Sequence, residues 1–204
     1  MSDLVVLAAD KNMEFAVKGL IARAAALGIR EILSDVFVHP HHDPGCLLEG
    51  HDFLRLYTKS HRHALVILDR EGSGREDLSR ESLEQELEGL LSQSGWENRA
   101  AAIAIDPELE VWVWSGSPHV DAVLGWEGRQ PNLTALLILE GFLPPDRRKP
   151  DRPKKAVEQA LRLASRARSS SRYFELAKKV SLEHCVDPAF DKFKRTLSAW
   201  FPES

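Results

Sequence analysis

Carboxylates close three apolar runs in this chain of 204 residues. Asp10 ends LVVLAAD, Asp69 and Glu71 follow HALVIL, and Asp106 leads Glu108 and Glu110 in AIDPELEVW. A short apolar run that stops at an acid is the pattern of a buried parallel strand with its charged end at the carboxyl edge of a sheet. Open α/β sheets place their sites at that edge. Carboxylates gathered there repel one another, and a divalent cation relieves the repulsion. Mg2+ (or Mn2+) suits such a set, because Mg2+ takes one or two carboxylates and fills its shell with water and phosphate oxygens. Asp69 and Glu71 are two apart, so in extended backbone they point the same way. They are the expected cation ligands, with Asp10 as a further ligand or general base and Glu110 completing the shell. Glu14 lies one helical turn beyond Asp10 and could share its face. A strand-end acid has a plainer use, capping the next helix. That use competes at each acid alone; three together favour a shared site.

A second group of donors, His39, His41, His42, Asp43, Cys46 and His51, crowds HPHHDPGCLLEGH. The spacing fits no standard zinc pattern, and Cys46 has no second cysteine nearby. No structural zinc is therefore expected. Asp43-Pro44-Gly45 reads as a turn, with the histidines edging the acidic cleft. One of them could donate to a phosphate or act as an acid near neutrality.

The third feature is charge. The net charge of −4 hides an uneven distribution: residues 1–146 carry 12 Lys+Arg against 24 Asp+Glu, and residues 147–196 carry 15 against 6. Arg147, Arg148, Lys149, Lys154 and Lys155, followed by Arg162, Arg166, Arg168 and Arg172, could track the phosphates of DNA or RNA. The competing reading docks these basic helices on the acidic part of the chain, with Lys154 and Lys155 neutralising the acids. Tyr173, Phe174, Phe190, Phe193 and Trp200 fall at helical spacing and read as core. There is no Gly-x-Ser-x-Gly and no P-loop. Cys185, in LEHCVDP, reads as a buried small hydrophobe.

The elements that must position these residues follow from periodicity. Strands are expected near 4–8, 31–38, 64–68 and 100–105. Helices are expected over 13–27, 51–62 and from Ser79 or Ser82 to about 94, with a turn-rich loop at 39–50. The alternation argues for a four-stranded, mainly parallel sheet flanked by helices. Short helical pieces are expected at 108–115, 119–126 and 132–142. The expected division is an α/β domain over 1–143, a Pro/Arg-rich linker over 144–153 and a basic helical extension over 154–204, with helices near 154–168, 172–180 and 188–200. No apolar run approaches the roughly 18 residues of a membrane span, so no membrane partner is expected. MSDLVVLAAD reads as a first strand, not a signal peptide. Two cysteines make no disulfide framework, and a reducing cytoplasm is the default.

The acids and strand order resemble the Toprim fold of topoisomerases, primases and overcoming-lysogeny-defect nucleases. That fold places a Glu after its first strand and an Asp-x-Asp after its third, with Mg2+ between them. Here Asp10 stands at the first position, with Lys11 where a glycine is usual, and the second motif reads Asp69-Arg70-Glu71. Across nearly the whole chain, HPHHDPGC, HALVILDREGSG, IDPELEVWVWS and SRYFELAKKVSLEHCVDPAFDKFKRTLSAWF resemble a small Toprim-like component of bacterial methylation-associated anti-phage defence systems. The resemblance implies a cytoplasmic accessory protein acting beside other defence-system subunits. If the site is catalytic, the implied chemistry is Mg2+-dependent phosphodiester hydrolysis. The alternative is a catalytically degenerate subunit that binds partner proteins of the defence complex.

Overall fold

The computed structural model describes residues 1–182 and 185–203. Four strands form one sheet in the order β2-β1-β3-β4: β1 Ser2–Ala8, β2 Ser34–Val38, β3 His61–Asp69 and β4 Ala100–Ile105. The fold is α/β as expected, and every pairing in the sheet is parallel. The two central strands bury Leu4–Ala8 and Ala64–Leu68 completely. Strands covered on both faces carry continuous apolar runs in place of alternation, which is why LVVLA and ALVIL stand out in the sequence.

Helices α1 Lys11–Ile21, α2 Ala24–Leu27, α3 His42–Arg55 and α4 Arg80–Leu91 make the connections. Right-handed crossovers put α1 on one face of the sheet and α3 and α4 on the other, where they pack on each other. The chain runs from β1 outward to β2, then returns across β1 to β3. The crevice between the carboxyl ends of β1 and β3 is therefore the topological switch point, where such sheets receive ligands. Asp10 follows β1 and Asp69 ends β3, so the two acids flank it.

Several expected boundaries move. The loop expected over 39–50 is largely helix, because α3 begins at His42. Pro44 falls in the first turn, where a missing N–H costs nothing. Gly45 and Gly50 sit inside the helix for packing reasons: a Cβ on Gly45 would lie 2.0 Å from His39 Nδ1, and one on Gly50 would lie 3.3 Å from Leu7 Cδ2. The helix expected over 51–62 is the tail of α3, and β3 has begun by His61. The helix expected over 13–27 breaks at Ala22 and Arg23. Ser79, the first of the two cap candidates, accepts from Ser82 N at 3.2 Å.

Past β4 the chain forms a 3-10 turn Leu109–Trp112 and helices α5 His119–Leu124, α6 Leu133–Leu139, α7 Pro153–Leu163, α8 Ser170–Lys179 and α9 Pro188–Trp200. The Pro/Arg-rich stretch at 144–153 separates no second core, since one apolar cluster runs from Leu4 to Phe201. Helix α8 lies so close on α1 that a Cβ on Gly19 would meet Ala177 Cβ at 2.7 Å. The Arg23 guanidinium donates to Ala177 O in the last turn of α8 at 2.9 Å and to the O of its C-cap residue Val180 at 2.7 Å. Three indoles after β4 donate to the C-terminal segment: Trp112 to Asp187 Oδ1, Trp114 to Pro153 O and Trp126 to Ala160 O. Tyr173, Phe190 and Phe193 are buried, while Phe174 and Trp200 are partly so. Cys185 is buried too, and its neighbours Glu183 and His184 lie outside the described residues. Among the described residues no helix is long and apolar enough to cross a membrane.

Candidate functional site

Four carboxylates act on one another at the switch point: Asp10, Asp43, Asp69 and Glu110. Asp10 is the N-cap of α1, its Oδ1 accepting from Met13 N at 2.8 Å. Asp69 closes β3, and its backbone N–H donates to Asp43 Oδ1 at 2.7 Å. Asp43 is there because α3 starts early enough to put it in the first helical turn. Glu110 lies in the 3-10 turn after β4, where Tyr173 Oη donates to its Oε1 at 2.5 Å. Glu108 is also buried and accepts from Lys154 N at 2.9 Å.

The electrostatics follow from burial and like charge. Asp69 is held well above the usual carboxylate range, first by burial and then by the charges of Asp43, Glu110 and Asp10. Its Oδ1 is buried without a hydrogen-bond partner. Burial also raises Asp43, helped by Asp10 and opposed by the Asp69 amide. Burial raises Glu110 against the opposing effects of Tyr173 and Lys154. Lys154, from the first turn of α7, is the cation placed among them. Burial works to lower its pKa, and Glu110, Glu108, Asp69 and Asp10 outweigh that and leave it raised. Beside that ammonium, the buried Asp69 oxygen without a hydrogen-bond partner fits a further cation.

The sequence-derived candidates divide. Asp10, Asp69 and Glu110 come together. Glu71 does not join Asp69: the strand ends at Asp69, the chain turns, and Glu71 is exposed with its N–H donating to Pro107 O at 2.9 Å. Its charge is felt at Glu108. The two-residue alternation fails because it needs extended backbone through Arg70, whose Nε instead turns to Asp106 Oδ1 at 2.9 Å. Glu14 is buried but held by Lys11 at 2.8 Å and Lys18 at 2.6 Å.

In the basic segment, Lys154 points into the acid group and Lys155 is exposed on α7. Arg147 and Arg148 are exposed; Arg147 pairs with Asp151, and Lys149 Nζ donates to Val186 O at 3.2 Å. Arg168 pairs with Glu158, and Arg172 donates to Ala167 O and Val123 O. Asp43 and Tyr173 are the members of the acid group that the sequence did not single out for it.

The histidine segment adds a second constellation. Ligand atoms of His39, His41 and Glu49 lie within 4.8 Å of one another, and this set could hold a metal ion. Among the described residues, no three of the acids at the sheet edge meet that closeness. Cys46 is fully buried on α3, and burial pushes its thiol far up. His42 Nδ1 lies 3.1 Å from Ala9 O, which ties the start of α3 to the end of β1.

No protein-family model matches the chain, and neither a curated protein nor a solved structure is significantly similar to it.

Proposed function

We propose that Asp69, with Asp10, Asp43 and Glu110 around it, binds a divalent cation of the Mg2+ or Mn2+ kind and acts on or senses nucleic acid. The observation that carries this reading is the buried, partnerless Oδ1 of Asp69 among three further carboxylates. Mg2+ needs only one or two protein carboxylates and takes its other ligands from water and phosphate, so the spread of the acids suits it. Bound there, the cation supplies Lewis-acid stabilisation of a phosphate oxygen. The chain's own residues have separate tasks. Asp69 and Asp43 hold the cation. Asp10, at the start of α1, stands as a general base. Tyr173 fixes the orientation of Glu110. Lys154 offers an ammonium to a phosphate entering the crevice. The reaction class that fits is phosphodiester hydrolysis.

The place of this activity in methylation-associated anti-phage defence, in the cytoplasm and beside other subunits, rests on the Toprim-like resemblance of the sequence. A second reading has its own observation. Lys154 already lies among the acids, as it would in a degenerate site whose acidic face docks a partner protein. A nicking assay on DNA and RNA with Mg2+ or Mn2+ separates the two. Cleavage by the wild type that Asp69→Asn abolishes supports hydrolysis. Absence of cleavage, with stable binding to another subunit, supports the docking role.

A further inference from the structure

The His39, His41 and Glu49 constellation is independent of the acid group. His39 follows β2, His41 is the N-cap of α3, and Glu49 lies two turns along that helix. Residues 41, 45 and 49 are spaced by four and so share one row of the helix surface. The middle residue of the row is Gly45. Its missing side chain opens a gap that the His39 ring fills, since a Cβ there would stand 2.0 Å from Nδ1 and 2.4 Å from Cε1 of that ring. A glycine inside a helix costs roughly 1 kcal/mol relative to alanine. Here it makes room for an imidazole.

The ring so placed is oriented on both edges. His41 N–H donates to His39 Nδ1 at 3.1 Å, and His39 Nε2 faces Glu49 Oε2 at 3.7 Å. His41 Nδ1 lies 3.2 Å from the same carboxylate oxygen. Among the described residues, the ion-pair partners of Glu49 are these two histidines and no lysine or arginine. His39 is buried, whereas His41 and Glu49 are open to solvent. A buried ligand with two accessible ones gives a set that a cation can reach.

We propose that His39, His41 and Glu49 bind a cation of the Zn2+ class. Two imidazoles and one carboxylate are a donor set that zinc takes with a position left open. Imidazole nitrogen favours zinc and its neighbours in the series, and Mg2+ prefers oxygen. Binding at His39 Nε2 needs the lone pair of that nitrogen, so the single hydrogen of the neutral ring moves to Nδ1, which then gives up the bond it accepts from the His41 N–H. The site is not a folding requirement, because two of its ligands are exposed side chains. It would tie the β2–α3 junction together next to Asp43, on the same helical turn that reaches the acid group.

The test is calorimetric titration of the full chain with zinc chloride, repeated with His41→Ala, Glu49→Gln and Asp69→Asn, each checked for folding by circular dichroism. The expected result is one zinc per chain for the wild type and for Asp69→Asn. His41→Ala and Glu49→Gln should each weaken binding by at least about tenfold, and excess Mg2+ should not compete. No zinc uptake by the wild type overturns the proposal. So does uptake that survives both histidine-segment variants but is lost in Asp69→Asn, which assigns the ion to the acid group.

Discussion

The backbone N–H of Asp69 donates to the side chain of Asp43 at 2.7 Å. The bond joins the end of β3 to the first turn of α3 and sets one carboxylate beside another whose Oδ1 is buried. It commits Asp43 Oδ1 while Asp69 Oδ1 has no partner. The pair is thus held in place by the main chain, and its like charges are not free to separate.

That arrangement costs stability when both acids ionise. Asp69, Asp43 and Glu110 all have raised pKa values. The folded protein therefore keeps protons that the unfolded chain has lost, and stability falls as pH rises from about 4 through the raised values. Asp69→Asn should raise the metal-free melting temperature at neutral pH and reduce its fall as pH rises above about 4. Glu14 and Asp3 are shifted downward and act in the opposite sense, and their contributions cancel in the difference between variant and wild type, which reads Asp69 together with the acids coupled to it. Thermal melts in chelator across that range check this; parallel curves would count against it.

Tyr173→Phe removes the hydroxyl that donates to Glu110 and changes little else in volume. A hydrogen bond to a charged group contributes about 1.5–3 kcal/mol, and a loss of that order is expected in urea titrations at neutral pH. The Glu110 carboxyl should titrate still higher. A variant as stable as the wild type would show that the Tyr173 hydroxyl does not hold Glu110.

Strands β1, β3 and β4 were legible because burial on both faces makes them continuous apolar runs, and β4 occupies the expected residues 100–105, whereas the edge strand β2 is only partly buried. The start of α3 was not. Pro44, Gly45 and Gly50 are loop signals by local rules, and their real roles depend on the first-turn position, the His39 ring and Leu7. Reading that segment as a loop hid Asp43 from the acid group. Glu71 was drawn in by an alternation that stops one residue too soon. Tyr173 was recognisable as buried by its helical spacing, but no local pattern reports that its hydroxyl meets a carboxylate 63 residues away.

Two glycine substitutions test how the C-terminal helices join the sheet. Gly19→Ala drives a Cβ to 2.7 Å from Ala177 Cβ and 2.8 Å from Phe174 O. It should destabilise by about 1–3 kcal/mol, the usual cost of overpacking. Gly89 in α4 has nothing within 4 Å of its added Cβ, so Gly89→Ala should stabilise by about 1 kcal/mol through helix propensity. Denaturation midpoints that move together would contradict the close packing of α8 on α1.

If the basic segment contacts phosphates, affinity for duplex DNA should fall with salt by about 0.9 log units per contacted phosphate per decade. Neutralising Arg147, Arg148 and Lys149 together should flatten that slope, since the exposed Arg147 and Arg148 make no contact with the acid group. Gel-shift titrations at several salt concentrations read this. Failure to bind DNA or RNA even at low salt would make the segment a docking element.

Titration of the metal-free protein with Mg2+, followed by calorimetry and by melting temperature, addresses the acid group most directly. A cation that binds the folded protein alone stabilises it by about 2.7 kcal/mol at a hundredfold excess over Kd. The wild type should take up Mg2+ or Mn2+ with a matching rise in melting temperature, and Asp69→Asn should show neither. A wild type that ignores both cations, or a variant that responds as strongly as the wild type, would contradict a cation site built on Asp69.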